Sequence, residues 1–493
     1  MDPQIATPLS LSRDASRPLT AASDPLASLV QNRRLVRTCY VVAVGLLGLL
    51  LYKNEQYQSI GSLRTIIGIV LYGLAMAPIL LWLKNRDHLF PLFPIYALAA
   101  LPAEAMPFIG GHEGLDTYSE EVVLFAGWCA CLHLGGAWIG YHATRAMPRR
   151  GAIWLDEIIT VRSINVLITG FVLSVFYIFL TEFYFAVPSG WESILRAAVS
   201  GIMMVTTYVL ARFWSLEQLN RHQKAIIVAT LCLLFVEGTA TLFLIDAASG
   251  IALFLLGYCS TGKRIPWLLI AAISTVFGIL HNGKSTMRER YWTEQVGAHV
   301  EVSALPAFYT EWVTTSYEES QQSTNKSASL KLFESASLMH MLCMVIDRTP
   351  DQQPYLAGQS YEDLPMQFIP RLFWPEKPRG HVSTYLLSMY YGLQTEEGTH
   401  NTTIGFGMLA ESYANFGWLG CLTLGLVFGC GLKLVTVWTR YSPLLSVPGV
   451  LMVVLTKWML ETGQTLSVWT SSLFQACVCI GFLAITLRKF LHG

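Results

Sequence analysis

The chain has 493 residues, of which 53% are hydrophobic and only 13% charged, against roughly 25% charged in an ordinary soluble domain. A soluble core of this length has no use for so much apolar surface, and 33 basic residues balanced by 33 acidic ones give no global basic field to gather nucleic acid. A soluble enzyme and a nucleic-acid-binding protein are both excluded, leaving a chain that lives in lipid.

Residues 1–35 are rich in Ser, Pro, Ala and Thr and end in Arg33 and Arg34, with Arg37 just beyond. The chain then runs on into span after span with no small-residue cleavage site behind a short apolar core, so this segment is expected to be a disordered cytoplasmic tail and not a signal peptide. From residue 36 the apolar residues fall in blocks of about 17–23, the length that crosses a hydrocarbon core of ~30 Å as a helix. Nine blocks fill 36–281, at about 36–52, 65–83, 89–108, 121–144, 164–185, 194–213, 225–243, 245–260 and 265–281. Three more, at 416–438, 443–460 and 466–487, fill the C-terminal part, 403–493. Strand-length alternation is absent. The expected fold class is an all-α polytopic membrane protein with about 12 transmembrane helices and one large periplasmic loop, 282–402.

Basic residues resist translocation and collect on the cytoplasmic side. This layout places twenty of them inside, from Arg13 to Lys489, and four (Lys53, Arg64, Arg196 and Lys457) in short outer loops. Both termini are therefore expected in the cytoplasm, with 282–402 outside. A connector of that length is usually functional. Within it Leu338 to Ile346 is apolar but too short to span, which suits a re-entrant or interfacial helix. Cys343 is the loop's one cysteine and has no disulfide partner there, while the other nine lie in or at the ends of apolar blocks as small hydrophobes.

The loop's polar chemistry begins at HNGKSTMRERYW, residues 281–292, where Arg288 follows the ninth span on the side that disfavours cations. Contact with a phosphate and pairing with Glu289 or Glu294 are both open to it. Farther on, prolines at 350, 354, 365, 370, 375 and 378 exclude a regular helix and make a shaped loop. Prolines 370, 375 and 378 hold Arg371, Lys377 and Arg379 close together, reducing the backbone freedom lost when cations converge on an anion. A phosphate or pyrophosphate suits such a group, as do lipid headgroups. The loop also offers Tyr355, Tyr361, Trp374, Tyr385, Tyr390 and Tyr391 for sugar faces, and His381, Glu376 and Glu411 as bases. Glu182, Glu237 and Asp246 are costly if they face lipid; they cap helices or line a groove.

The TP…Y…G…SY run of 349–361, FIPRLFWPEKP at 368–378 and TTIGFGMLAESYANFGWLG at 402–420 together resemble the Wzy-type O-antigen polymerases, or oligosaccharide repeat-unit polymerases. The resemblance covers mainly 340–440, and IPR-x-x-WP-x-KP is its specific element. It implies a GT-C-like, metal-independent glycosyltransferase without cofactor in the bacterial inner membrane. Such an enzyme joins undecaprenyl-pyrophosphate-linked oligosaccharides, donor and acceptor, into a surface polysaccharide (O-antigen of lipopolysaccharide, capsule or exopolysaccharide), with a chain-length regulator as a further partner. The matching positions are Pro370, Arg371, Trp374, Pro375, Lys377, Pro378, Glu411, Asn415, Phe416 and Gly417. The expected catalytic residues are Arg371, Glu411 and His381, with Arg288, Lys377, Trp374, Tyr361 and Asn415 binding substrate. An O-antigen ligase would share the architecture and the donor, and a non-enzymatic membrane transporter or scaffold would share the spans.

Overall fold

The computed structural model describes residues 33–57, 61–85, 91–146, 163–184, 189–259, 261, 266–291, 300–322, 337–369, 374, 376–378, 380–401, 403–440, 442 and 446–492. The N-terminal tail lies outside them. Every regular element among them is helical. The long helices in chain order are α1 Arg33–Tyr57, α2 Ser62–Asn85, α3 Leu92–Ala100, α4 Glu120–Ala143, α5 Ile164–Phe183, α6 Ser189–Ser215, α7 Arg221–Ala240, α8 Leu244–Cys259, α9 Trp267–Asn282, α10 Lys284–Tyr291, α11 Leu305–Gln322, α12 Met339–Arg348, α13 Val382–Tyr390, α14 Gly407–Trp438, α15 Val447–Trp458 and α16 Leu466–His492. α3 continues through a π-helical turn, Leu101–Ala105, into the short helix Met106–Gly110.

Each of the twelve apolar blocks coincides with one of these helices, as it must where lipid offers backbone groups no hydrogen bonds and a segment has to satisfy its own. Among the described residues, six helices are long and apolar enough to cross a membrane by length and composition, or seven if α9 and α10, bent by 51°, count as one. Three helix starts carry polar caps: at α4 Ser119 accepts from the Val122 N–H, at α15 Ser446 accepts from the Gly449 N–H, and at α7 Asn220 and Gln223 form a reciprocal capping box. The outward faces are apolar, with Leu268 90% and Phe482 73% exposed, whereas buried polar residues such as His133, Glu237 and Glu411 point inward. That inversion has a physical sense only if lipid covers the outside. The chain is a helical membrane protein.

Between α4 and α14 the backbones touch. A Cβ added at Gly136 would come within 2.7 Å of the Leu422 carbonyl oxygen, at Gly140 within 2.4 Å of Leu426, at Gly425 within 2.0 Å of His133 and at Gly429 within 2.1 Å of Ala137. Glycines four apart on both helices lie on matching faces and permit this approach, which gives dispersion contacts where lipid removes the hydrophobic drive.

The described residues of the 282–402 segment pack into the protein. Beyond the bend at Gly283, α10 and α11 close a small core with the end of α7, the start of α8 and the end of α9 around Phe308 and Trp312, the latter donating its indole N–H to the Leu280 carbonyl at 2.8 Å. The apolar stretch 338–346 does become a helix, α12, but its side chains from Met339 to Val345, apart from half-buried His340, are buried in the protein, in one core with α4 and α14. It is a docked helix whose apolar face meets protein.

Candidate functional site

The site is organised by a fold-back in α14. Gly417 has φ 61° and ψ −149°, a conformation open essentially to glycine alone, and the helix reverses there into two arms, 407–416 and 418–438. Cys421 Sγ consequently lies 3.8 Å from Ser412 Oγ and 3.9 Å from the Leu409 carbonyl oxygen, although a straight helix would separate such positions by roughly 13–18 Å. The first arm is thus freed from the span to lie beneath the loop. Tyr355 fills the bend; a Cβ on Gly417 would stand 3.0 Å from its hydroxyl.

Onto this arm the loop segment 355–361 is laced by a continuous set of hydrogen bonds. The Leu356 and Ala357 N–H groups donate to the Ala414 and Asn415 carbonyls at 2.9 and 3.1 Å. Gly358 N–H donates to Asn415 Oδ1 at 2.9 Å. Asn415 Nδ2 donates to Ser360 Oγ and to the Glu411 carbonyl, both at 2.8 Å, and Ser360 Oγ donates to Glu411 Oε1 at 2.9 Å. The other Glu411 oxygen accepts the N–H of Leu466, the first residue of α16, at 2.6 Å. A fully buried carboxylate therefore ties together the loop, the first arm of α14 and the start of α16, whose helix dipole favours negative charge. Tyr361 joins the cluster with its ring 6.2 Å from that of Phe416. Burial, then the nearby Glu411 carboxylate, pushes its phenol well up, opposed by a hydrogen bond with Asn415.

Of the expected site residues, Glu411, Asn415 and Tyr361 are brought together. Lys377 is buried and donates to the Gln367 and Ile369 carbonyls, both at 3.0 Å, clasping the proline-rich turn. Trp374 is half-buried beside it in sequence, and Arg371 and Arg379 lie outside the described residues. His381 is exposed at the start of α13, its ring 6.0 Å from Tyr385, and is not part of the buried cluster. Arg288 sits elsewhere, on α10: it donates to the Leu242 carbonyl at 2.9 Å, and its guanidinium lies 5.2 Å from the centre of the Phe243 ring. Arg290 pairs with Glu311 of α11 at 2.8 Å, so its carboxylate partner comes from a helix distant in sequence.

Phe243 also lines a cavity of about 500 Å³ at the loop end of α5, α6, α7, α8 and α15. Glu182 and Glu237 face it, as do Arg196, Thr241 and Lys457. Two carboxylates and two cations against a wall of Met203, Met204 and Leu234 make an amphipathic space, suited to a ligand with a charged or sugar-bearing head and an apolar remainder. Arg196 and Lys457 count in the sequence only as topology markers; their signal was that cations persist on the side that disfavours them.

Residues 159–438 match the family described as "Domain of unknown function (DUF8712)". The chain belongs to that family. The match takes in the loop segment, both arms of α14 and much of the cavity wall, and it stops where α14 stops. No curated protein and no solved structure matches the chain.

Proposed function

We propose that this protein is a polymerase of lipid-linked sugar repeats: a GT-C-like enzyme of twelve spans, with the 282–402 segment on the outer face of a bacterial inner membrane. One observation carries the reading. Two of the three segments on which the resemblance to Wzy-type polymerases rests, about 349–361 and 402–420, are hydrogen-bonded into a single unit through Glu411, Asn415 and Ser360, as parts of one site would be. The amphipathic cavity at the same end of the bundle supports it by offering room for a charged lipid head.

In this reaction the acceptor hydroxyl attacks the anomeric carbon of the donor glycan. The new C–O bond forms as the bond to pyrophosphate breaks, undecaprenyl pyrophosphate leaves with the electron pair, and the hydroxyl proton passes to a base. Fixed cations stabilise the charge growing on the leaving group, and arginine does so without titrating; Arg371 holds that role. Exposed His381 is the base in reach of a sugar. Glu411, sealed and occupied by two donors, positions the loop.

The test is the length distribution of lipid-linked glycan made by Arg371→Ala at equal protein abundance. Single repeats are expected, with a severe defect also in Arg371→Lys, which loses the planar two-pronged donor. Wild-type lengths would remove the arginine from the reaction, and long chains left unattached to their final acceptor would identify a ligase instead.

A further inference from the structure

Glu104 has no role in the transfer described above. It lies in the π turn of the span 92–110, a helical irregularity that recurs at functional sites. Its side chain faces a cavity of about 50 Å³ at the loop end of the bundle, shared with Tyr96, His133, Trp458 and Glu461, and it also borders a second small cavity beneath α12. The space admits a water-sized occupant and excludes a sugar or a lipid.

The walls contain unmet polar groups. Glu104 Oε2 and the indole N–H of Trp458 have no hydrogen-bond partner among the described residues, and Trp458 is only 8% exposed. His133, also buried, shares a 2.7 Å hydrogen bond between its Nε2 and the Tyr96 hydroxyl; the Cys421 backbone lies near its ring, but Nδ1 meets no partner in hydrogen-bond geometry. The titratable groups around Glu104 are Tyr96 on α3, Cys131 and His133 on α4, and Glu461 beyond α15, which Lys457 pairs at 3.7 Å. From α12 and the first arm of α14 the neighbouring side chains, Met339, Leu342, Leu409 and Ala410, are apolar. Among the described residues no cation pairs with a carboxylate so placed, and an isolated charge in such surroundings is removed most cheaply by taking up a proton. Among the described residues no three His, Cys, Asp or Glu side chains gather closely enough to hold a metal ion.

We infer that Glu104 is a proton-binding site within the bundle, loaded from the loop end through the cavity it shares with Tyr96, His133 and Trp458. A protonated Glu104 becomes a donor as well as an acceptor, and the Tyr96–His133 pair can take the proton deeper along α4.

The full-length protein in lipid nanodiscs is treated with a hydrophobic carbodiimide, which reacts with protonated carboxyls, and the adduct is located by peptide mass spectrometry. An adduct on Glu104 is expected. It should fall about tenfold per pH unit above the titration midpoint and be absent in Glu104→Gln. Peptide mapping of the wild type locates the adduct even if that variant fails to accumulate. Because the cavity admits only water-sized molecules, an unreacted Glu104 is read by the infrared C=O band of a protonated carboxyl: absence of that band at every pH, or its persistence unchanged in Glu104→Gln, overturns the inference, as does labelling that sodium suppresses and pH does not, the mark of a cation site. Neither arm involves glycan transfer, so the result is separate from the polymerase reading.

Discussion

At Glu411 a single carboxylate meets three separated parts of the chain, and substitution there separates positioning from chemistry. Glutamine keeps one acceptor oxygen for the Leu466 N–H and lets the Ser360 hydroxyl turn to accept, so Glu411→Gln should cost only about 1 kcal/mol. Leucine leaves both donors buried without an acceptor, at roughly 1–3 kcal/mol each, so Glu411→Leu should melt markedly earlier in detergent. Chain extension that persists in Glu411→Gln marks a positioning residue; its complete loss at near-normal stability would restore Glu411 as the base. Legibility at this scale was uneven. Glu411, Asn415 and Tyr361 could be picked out because they stand in motifs. Their partners could not, since a hydroxyl at Ser360 and a backbone N–H at Leu466 leave no periodic trace when they meet a residue 51 or 55 positions away. Lys377 was legible as a cation in a stiff loop, but the carbonyls of Gln367 and Ile369 that receive it are groups every residue carries.

Helices were far more legible than their bends and contacts. Periodic burial is not needed in lipid, so length and hydropathy locate apolar helices directly. The fold-back at Gly417 escaped because it lies inside one unbroken apolar approach, and glycine in a membrane helix is ordinary. The α4–α14 contact did have a signal, the paired glycines of GGAWIG and GLVFG at 135–140 and 425–429, which is the spacing that lets helices approach in membranes. Gly425→Leu drives a side chain into the His133 carbonyl and should cost at least the ~1–3 kcal/mol typical of overpacking. Gly431→Leu, where nothing lies within 4 Å of an added Cβ, should stay within about 0.5 kcal/mol of wild type. Thermal melting of the two variants in the same detergent compares them; equal midpoints would mean that the helices separate without penalty.

For the whole molecule, orientation rests on charge alone, because lipid leaves both ends of a helical bundle structurally equivalent. In the proposed twelve-span layout, the twenty-to-four division of basic residues is expected to put the helix starting at Leu305 outside and the end of α4 inside, and both helix ends carry exposed positions to probe. Ser303 and Ala143 are exposed, and the proposed layout puts them on the outer and inner sides respectively. In sealed spheroplasts a membrane-impermeant maleimide should label Ser303→Cys at once and Ala143→Cys only after lysis, each compared with the wild type to subtract native thiols. The odd number of spans between the two sites in the twelve-span layout makes the result sharp: one span more or fewer between them would place both cysteines on one side. Labelling of both without lysis, or of Ala143→Cys alone, would reverse or break the topology. Labelling of Ala143→Cys alone would also move the amphipathic cavity and the loop site to a face where a lipid-linked glycan is not presented, and the polymerase reading would fall with it.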